Sequence, residues 1–141
     1  MAEMNRNWSW ADVKYFEPGE FRCPCGVCGS DGYEMEIDFV IKLDQVRERL
    51  GIRMLVSSGY RCPSWNTQIS TTGQAGPHTT GRAADIHVYG GDAHKLIQQA
   101  VLGGWFSGIG LQQKGEYRTR FIHLDDLTEP DHHPRPWIWT Y

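Results

Sequence analysis

Hydrophobic positions along the chain change period several times, and each change marks an element. In residues 34–50, EMEIDFVIKLDQVRERL, the apolar residues Phe39, Leu43, Val46 and Leu50 fall at i, i+4, i+7 and i+11. That spacing lays one stripe along an α-helix, and Gly51 follows as its stop. Residues 53–57, RMLVS, predict a short strand. SGYRCPSWN (58–66) reads as a turn, and the Thr- and Gly-rich stretch 67–82 as a surface loop. Strict alternation starts at Ala84. Ala84, Ile86 and Val88 share one face, while Asp85, His87 and Tyr89 share the other. Asp92 is placed to cap a helix through Leu102, closed by Gly103 and Gly104. Gly108–Leu111 is strand-like, and RFIHLD (120–125) alternates again, with Ile122 and Leu124 opposite Phe121, His123 and Asp125. The closing WIWTY predicts an edge strand or an aromatic clamp. Residues 1–33, broken by Pro18, Pro24 and several glycines, predict an irregular, Cys-containing N-terminal segment. The order of elements predicts an α+β fold, a small, mainly antiparallel sheet with helices on one face.

Composition narrows the classes of function. A chain of 141 residues fits a single domain spanning 1–141. With 40% hydrophobic and 22% charged residues it reads as globular. Its net charge of −3 provides no basic field for nucleic acid. No apolar run approaches the roughly 20 residues that span a bilayer, so membrane insertion is not expected. The start, MAEMNRNWSWADVKYF, lacks the basic-then-apolar pattern of a secretory signal. The expectation is therefore synthesis in the cytoplasm without a signal peptide, as a monomer.

Candidate chemistry lies in GPHTTGRAADIHV (76–88) and FIHLD (121–125). If the strands carrying Asp85 and His123 are neighbours, alternation aims both side chains at one face, and His78 sits on the loop entering the first of them. Two His and one carboxylate, with a fourth position open to water, is a recurring ligand set of catalytic zinc. Neutral imidazoles suit a borderline metal, and a single carboxylate leaves its Lewis acidity intact. The plainer alternative is a loop His beside a strand Asp that hydrogen-bonds a turn. His87 shares Asp85's face but stands about 6.6 Å further along the strand, which favours a flanking role. His94 near a helix start, and His132 and His133 between prolines, read as solvated.

Cys23, Cys25 and Cys28 form C-x-C-x-x-C in a Gly-rich loop, with Cys62 far away in sequence. Three states fit this pattern: a closed tetrathiolate zinc site, one disulfide tying the N-terminal loop to Cys62, or four free thiols. In either bonded state Cys62 clamps the segment that carries Arg61.

SGYRCPSWN, PHTTGRAADIHV, GIG (108–110), FIHLD and RPWIWTY (135–141) occur in that order. Together they resemble the zinc D-alanyl-D-alanine carboxypeptidase and L-alanyl-D-glutamate endopeptidase family over roughly residues 16–141. These peptidoglycan peptidases are frequent in phages and bacteria and share a core with the hedgehog signalling domain. The resemblance implies zinc on His78, Asp85 and His123, with Arg61 of S-G-Y-R binding substrate. A guanidinium there can hold a stem-peptide carboxylate or stabilise a developing oxyanion; without the resemblance, a surface Arg bridging a turn is the simpler reading.

The chain departs from the family in three places. Gly76 replaces a Ser two residues before the first ligand. Position 120, where many members carry an acid, is Arg, and position 121, where others carry His, is Phe. Asp125 is left as the candidate general base, or as an orienter of His123; Glu116 is a weaker candidate. The implied function is zinc-dependent cleavage of peptidoglycan stem peptides, as a D-Ala-D-Ala carboxypeptidase or an L-Ala-D-Glu endopeptidase, with a phage endolysin as one setting. A non-catalytic zinc-containing binding module, or a phage structural module, is the alternative.

Overall fold

The computed structural model describes residues 7–129 and 134–141. Its long helices are α1 (Ile37–Leu50) and α3 (Gly90–Gly103), and a shorter one, α2, spans Pro63–Ile69. Five strands, β1 (Leu55–Ser58), β2 (Ala83–His87), β3 (Gly108–Gln112), β4 (Phe121–Asp125) and β5 (Trp137–Thr140), form one sheet in the order β1-β2-β4-β3-β5. All neighbours are antiparallel except β3 and β5. Among the described residues no helix is long and apolar enough to cross a membrane.

Alternation divides the sheet into two faces. Ala84 and Ile86 of β2, Ile122 and Leu124 of β4, and Ile109 of β3 turn into the core. There they meet Phe39, Leu43 and Val46 of α1 and Ala93, Leu96 and Ala100 of α3. Fully burying an aliphatic or Phe side chain is worth about 1.5–3 kcal/mol each, which is why the helical stripe and the strand periodicity agree on one interior. The N-terminal segment joins that interior. Phe16 and Phe21 are buried in it, and the backbone amides of Lys14 and Tyr15 donate to the buried Asp44 carboxylate of α1 at 3.0 and 2.8 Å.

The opposite face carries the polar residues. Register places Ser58, Asp85, His123, Gly110 and Trp139 in one row across all five strands. Beside it runs a second row of Ala83, Asp125, Gly108 and Trp137. Just beyond β4, Asp126 accepts from Arg82 at 2.9 Å and from Lys42 of α1 at 2.6 Å, and Arg82 also grips Asp38 at 2.9 Å. These ion pairs fix the ends of β2 and β4 against α1.

The mixed α+β architecture and mainly antiparallel sheet agree with the sequence reading, and WIWT is the edge strand. Four local expectations are corrected. Residues 58–66 do not form only a turn, because Pro63 opens α2 at a position where its missing N–H costs nothing, and Cys62 caps it, with its sulfur accepting from the Trp65 amide at 3.4 Å. Residues 67–82 are a surface loop only in part: 67–69 complete α2 and 70–75 stay largely exposed, but the 3-10 turn Pro77–Thr80, which follows another at Gly73–Ala75, folds back so that Pro77 and His78 are buried. α3 starts at Gly90 with Tyr89 as its cap rather than Asp92. The first strand begins at Leu55 rather than Arg53.

Candidate active site

β2 and β4 pair so that Asp85 faces His123 directly, and the Pro77–Thr80 turn lowers His78 onto the same point. All three are nearly inaccessible, at 5%, 5% and 2% exposure for His78, Asp85 and His123. One nitrogen of each His and a carboxylate oxygen of Asp85 lie within 4.8 Å of one another.

Each imidazole is oriented by a partner on its far side. His78 Nδ1 lies 2.8 Å from the Gly59 carbonyl oxygen, which can only accept, so Nδ1 carries the proton and Nε2 presents a lone pair. His123 Nε2 lies 2.7 Å from Asp125 Oδ2. That carboxylate is also held by Arg135, with Nε 2.9 Å from Oδ1 and Nη2 2.8 Å from Oδ2. It stays ionised and takes the His123 Nε2–H, leaving Nδ1 as the free lone pair. Thus His78 Nε2, 3.3 Å from Asp85 Oδ1, and His123 Nδ1, 3.0 Å from the same oxygen, converge as acceptors on an acceptor. Three buried lone pairs aimed at one point repel unless a cation or added protons lie between them, so the donor set fits a divalent metal.

Burial and the neighbouring charges move the four ionisable groups in different directions. Burial alone would lower both imidazoles. For His78 it prevails and its pKa falls. For His123 the hydrogen bonds and charges of Asp125 and Asp85 outweigh burial and its pKa rises. Burial would raise Asp85, but His78 and His123 together hold its carboxyl well below the usual range. Burial would likewise raise Asp125, but His123 and Arg135 bring it down to about 2.

His78, Asp85 and His123 form the floor of a cavity of about 530 Å³, whose walls include Arg61, Thr72, Trp139 and Tyr141. The Trp139 ring stands 5.0 Å from that of His123. It fits because β3 has no side chain beneath it: a Cβ on Gly110 would lie 2.7 Å from the indole. Arg61 leans in over Asp85. Its Nε donates to Ser58 Oγ at 3.0 Å, Nη1 to Asn66 Oδ1 at 3.2 Å and Nη2 to Asp85 Oδ2 at 3.4 Å. A guanidinium has five N–H groups, so each terminal nitrogen keeps one for a ligand in the cavity.

The remaining candidates fall elsewhere. Asp125 is fully buried behind His123 and does not line the cavity. His87 is half-buried, with Nδ1 2.9 Å from the Arg120 carbonyl oxygen, outside the His78–Asp85–His123 group. His94 and Glu116 are exposed, the latter paired with Arg118 at 2.8 Å. His132 and His133 lie outside the described residues. Among the described residues, Asp85 is the only carboxylate lining the cavity. Cys23, Cys25, Cys28 and Cys62 form no disulfide and gather with their sulfurs within 4.8 Å of one another.

Sequence reasoning missed the role of Arg135: it opens the quoted motif RPWIWTY, but nothing local marks it as the partner of an acid ten residues earlier. It also missed the Gly59 carbonyl and Asn66, although both lie in the quoted motif SGYRCPSWN.

No curated protein and no solved structure matches the chain. The peptidase M15 family model matches residues 14–125, a span that holds Arg61, His78, Asp85, His123 and Asp125. A match over most of the 141 residues, across a fold that brings two buried His and an Asp together beside a cavity, places the chain in the peptidase M15 family as a zinc metallopeptidase.

Proposed function

We propose that this peptidase hydrolyses the stem peptides of peptidoglycan, with zinc held by His78 Nε2, Asp85 and His123 Nδ1. The observation that carries the reading is the convergence of those three buried atoms at the floor of the 530 Å³ cavity. Zinc in such a set supplies a water ionisable near neutral pH and a Lewis acid for the scissile carbonyl.

The protein's own residues have distinct tasks. Gly59 and Asp125 fix the two imidazole tautomers. Arg135 keeps Asp125 ionised and in place, so Asp125 is a positioning residue rather than the base. Arg61, braced by Ser58, Asn66 and Asp85, offers its two remaining N–H groups to a stem-peptide carboxylate or to the carbonyl oxygen as charge develops there. Trp139 and Tyr141 give the cleft an aromatic wall against which short side chains such as that of alanine pack.

The bond cut is either the terminal D-Ala-D-Ala or the internal L-Ala-D-Glu linkage, and the place of action is the cell wall, as a phage endolysin or a bacterial wall hydrolase. The test is digestion of purified sacculi with and without chelator, read by mass spectrometry of the products. Loss of a terminal alanine marks the carboxypeptidase, and release of whole stem peptides marks the endopeptidase. Hydrolysis that persists undiminished in chelator, or no hydrolysis by zinc-loaded protein on any wall chemotype, overturns the reading.

A further inference from the structure

The cysteines gathered at the other end of the Arg61 segment play no part in that chemistry. We propose that Cys23, Cys25, Cys28 and Cys62 hold a second zinc ion in a closed four-sulfur site, which staples the N-terminal loop to the segment carrying Gly59 and Arg61.

Geometry supports a metal over the other two states. Four sulfurs, three from one loop and the fourth from Cys62, 39 residues after Cys23, all lie within 4.8 Å of one another. Zinc–sulfur bonds of about 2.3 Å in a tetrahedron put neighbouring sulfurs about 3.8 Å apart. Cys25 and Cys62 stand at 3.9 Å. A disulfide would need about 2.05 Å, would use only two of the four and would leave the others beside it unexplained. The donor set is all sulfur and has no fourth position open to water, which marks a structural rather than a catalytic ion.

The surrounding backbone is arranged for thiolates. The Cys62 amide donates to the Cys23 sulfur at 3.3 Å, and the Trp65 amide to the Cys62 sulfur at 3.4 Å. Gly26 and Gly29 directly follow Cys25 and Cys28, with φ of +78° and +75°. Those left-handed turns wrap the loop around its own sulfurs, a path that a residue with a Cβ resists.

The staple reaches the cavity through backbone hydrogen bonds. The Tyr60 amide donates to the Phe21 carbonyl at 2.8 Å, and the Arg61 amide to the His78 carbonyl at 3.1 Å. Just before them, Gly59 presents its carbonyl to His78 Nδ1. Gly59 is packed so closely on Phe21 that a Cβ would lie 2.6 Å from its Cα. Holding Cys23 to Cys62 therefore holds the acceptor that sets the His78 tautomer and the base of Arg61.

The site is independent of which substrate the cavity takes, and its test separates the two. Protein purified under reducing conditions is expected to carry about two zinc ions per chain, against about one in Cys25→Ser/Cys28→Ser and about one in His78→Ala/Asp85→Ala. Protein from cobalt-supplemented medium is expected to show the intense charge-transfer bands of four-thiolate cobalt. These bands should persist in His78→Ala/Asp85→Ala and vanish in Cys25→Ser/Cys28→Ser. Thiol titration of undenatured wild-type protein needs no variant: all four cysteines should be protected until a chelator is added. One zinc per chain with no sulfur-to-cobalt band, four thiols that react freely before chelation, or a disulfide in the non-reduced digest would each overturn the proposal. Loss of wall hydrolysis alone would not touch it.

Discussion

Replacing Asp125 by Asn separates the two tasks open to that side chain. Asp125 is fully buried and accepts from both Arg135 nitrogens, from His123 Nε2 and from the Leu127 amide. Asn preserves the shape but removes the charge and turns one acceptor into a donor, which must then face Arg135 or His123, both donors themselves. The Arg135 side chain, 5% exposed, keeps its charge and loses its counter-ion. Removing one partner of a buried pair costs about 3–5 kcal/mol, about 10–15 °C in Tm for a domain of this size. Loss of the group behind a ligating His lowers metal affinity by about 10–100-fold, equivalent to about 1.4–2.7 kcal/mol. Zinc competition against a chromophoric chelator reads the second effect, and thermal unfolding of the metal-free protein reads the first. If Asp125→Asn binds zinc and melts as the wild type does, yet loses about a hundredfold or more in hydrolysis, Asp125 is the general base and the positioning argument is wrong.

Acid should act through the same residue. Its carboxyl, ordinarily near 3.8, is held at about 2, so its contribution of about 2 kcal/mol is complete above the unfolded value and drains away as pH falls from about 4 to about 2. Urea unfolding across that window should show the decline in wild type and not in Asp125→Asn. Arg61→Lys keeps a charge but loses the planar fork held by Ser58, Asn66 and Asp85; kcat/KM should fall about 10²–10³-fold with zinc content unchanged. Alanine at either β3 glycine of the polar face should destabilise, by about 1–3 kcal/mol at Gly110, where the half-buried indole of Trp139 can yield. The loss should be larger at Gly108, where the new Cβ would sit 2.3 Å from a buried Asp125 oxygen. Equal melting temperatures for the two variants would contradict this ranking.

Periodicity carried the elements whose burial is local. The Phe39, Leu43 and Val46 stripe and the alternation around Asp85 and His123 were readable because each strand or helix hides one face and the polar residues mark the other. What stayed hidden depends on contacts distant in sequence. His78 looked like part of a surface loop, since only the Gly59 carbonyl nineteen residues earlier makes its burial tolerable. α2 was masked because its cap is a cysteine, whose sulfur is a weak acceptor and a poor helix signal. Arg135 opens the motif RPWIWTY, but nothing in it names a partner; it meets Asp125 because the chain leading into β5, which pairs parallel with β3 at the sheet edge, brings it back over the end of β4. Family motifs marked His78, Asp85 and His123, and Asp125 was legible beside them as an orienter of His123, but the Gly59 carbonyl and Arg135 were not legible as the groups that complete the arrangement.

The row that crosses all five strands also bears on how the chain folds. A slip of one residue between β2 and β4 would bring Ile122 or Leu124 opposite Asp85 in place of His123, and the same slip in β3 would set Ile109 or Leu111 under Trp139 in place of a glycine. Misaligned sheets then lack the ligand set. An ion bound by His78, Asp85 and His123 therefore adds its binding energy to one alignment only, about 2.7 kcal/mol when free metal stands at a hundred times its Kd. An ion at that site would then proofread strand register during refolding, and zinc supplied early should raise the yield of correctly aligned protein rather than merely switch on molecules already folded.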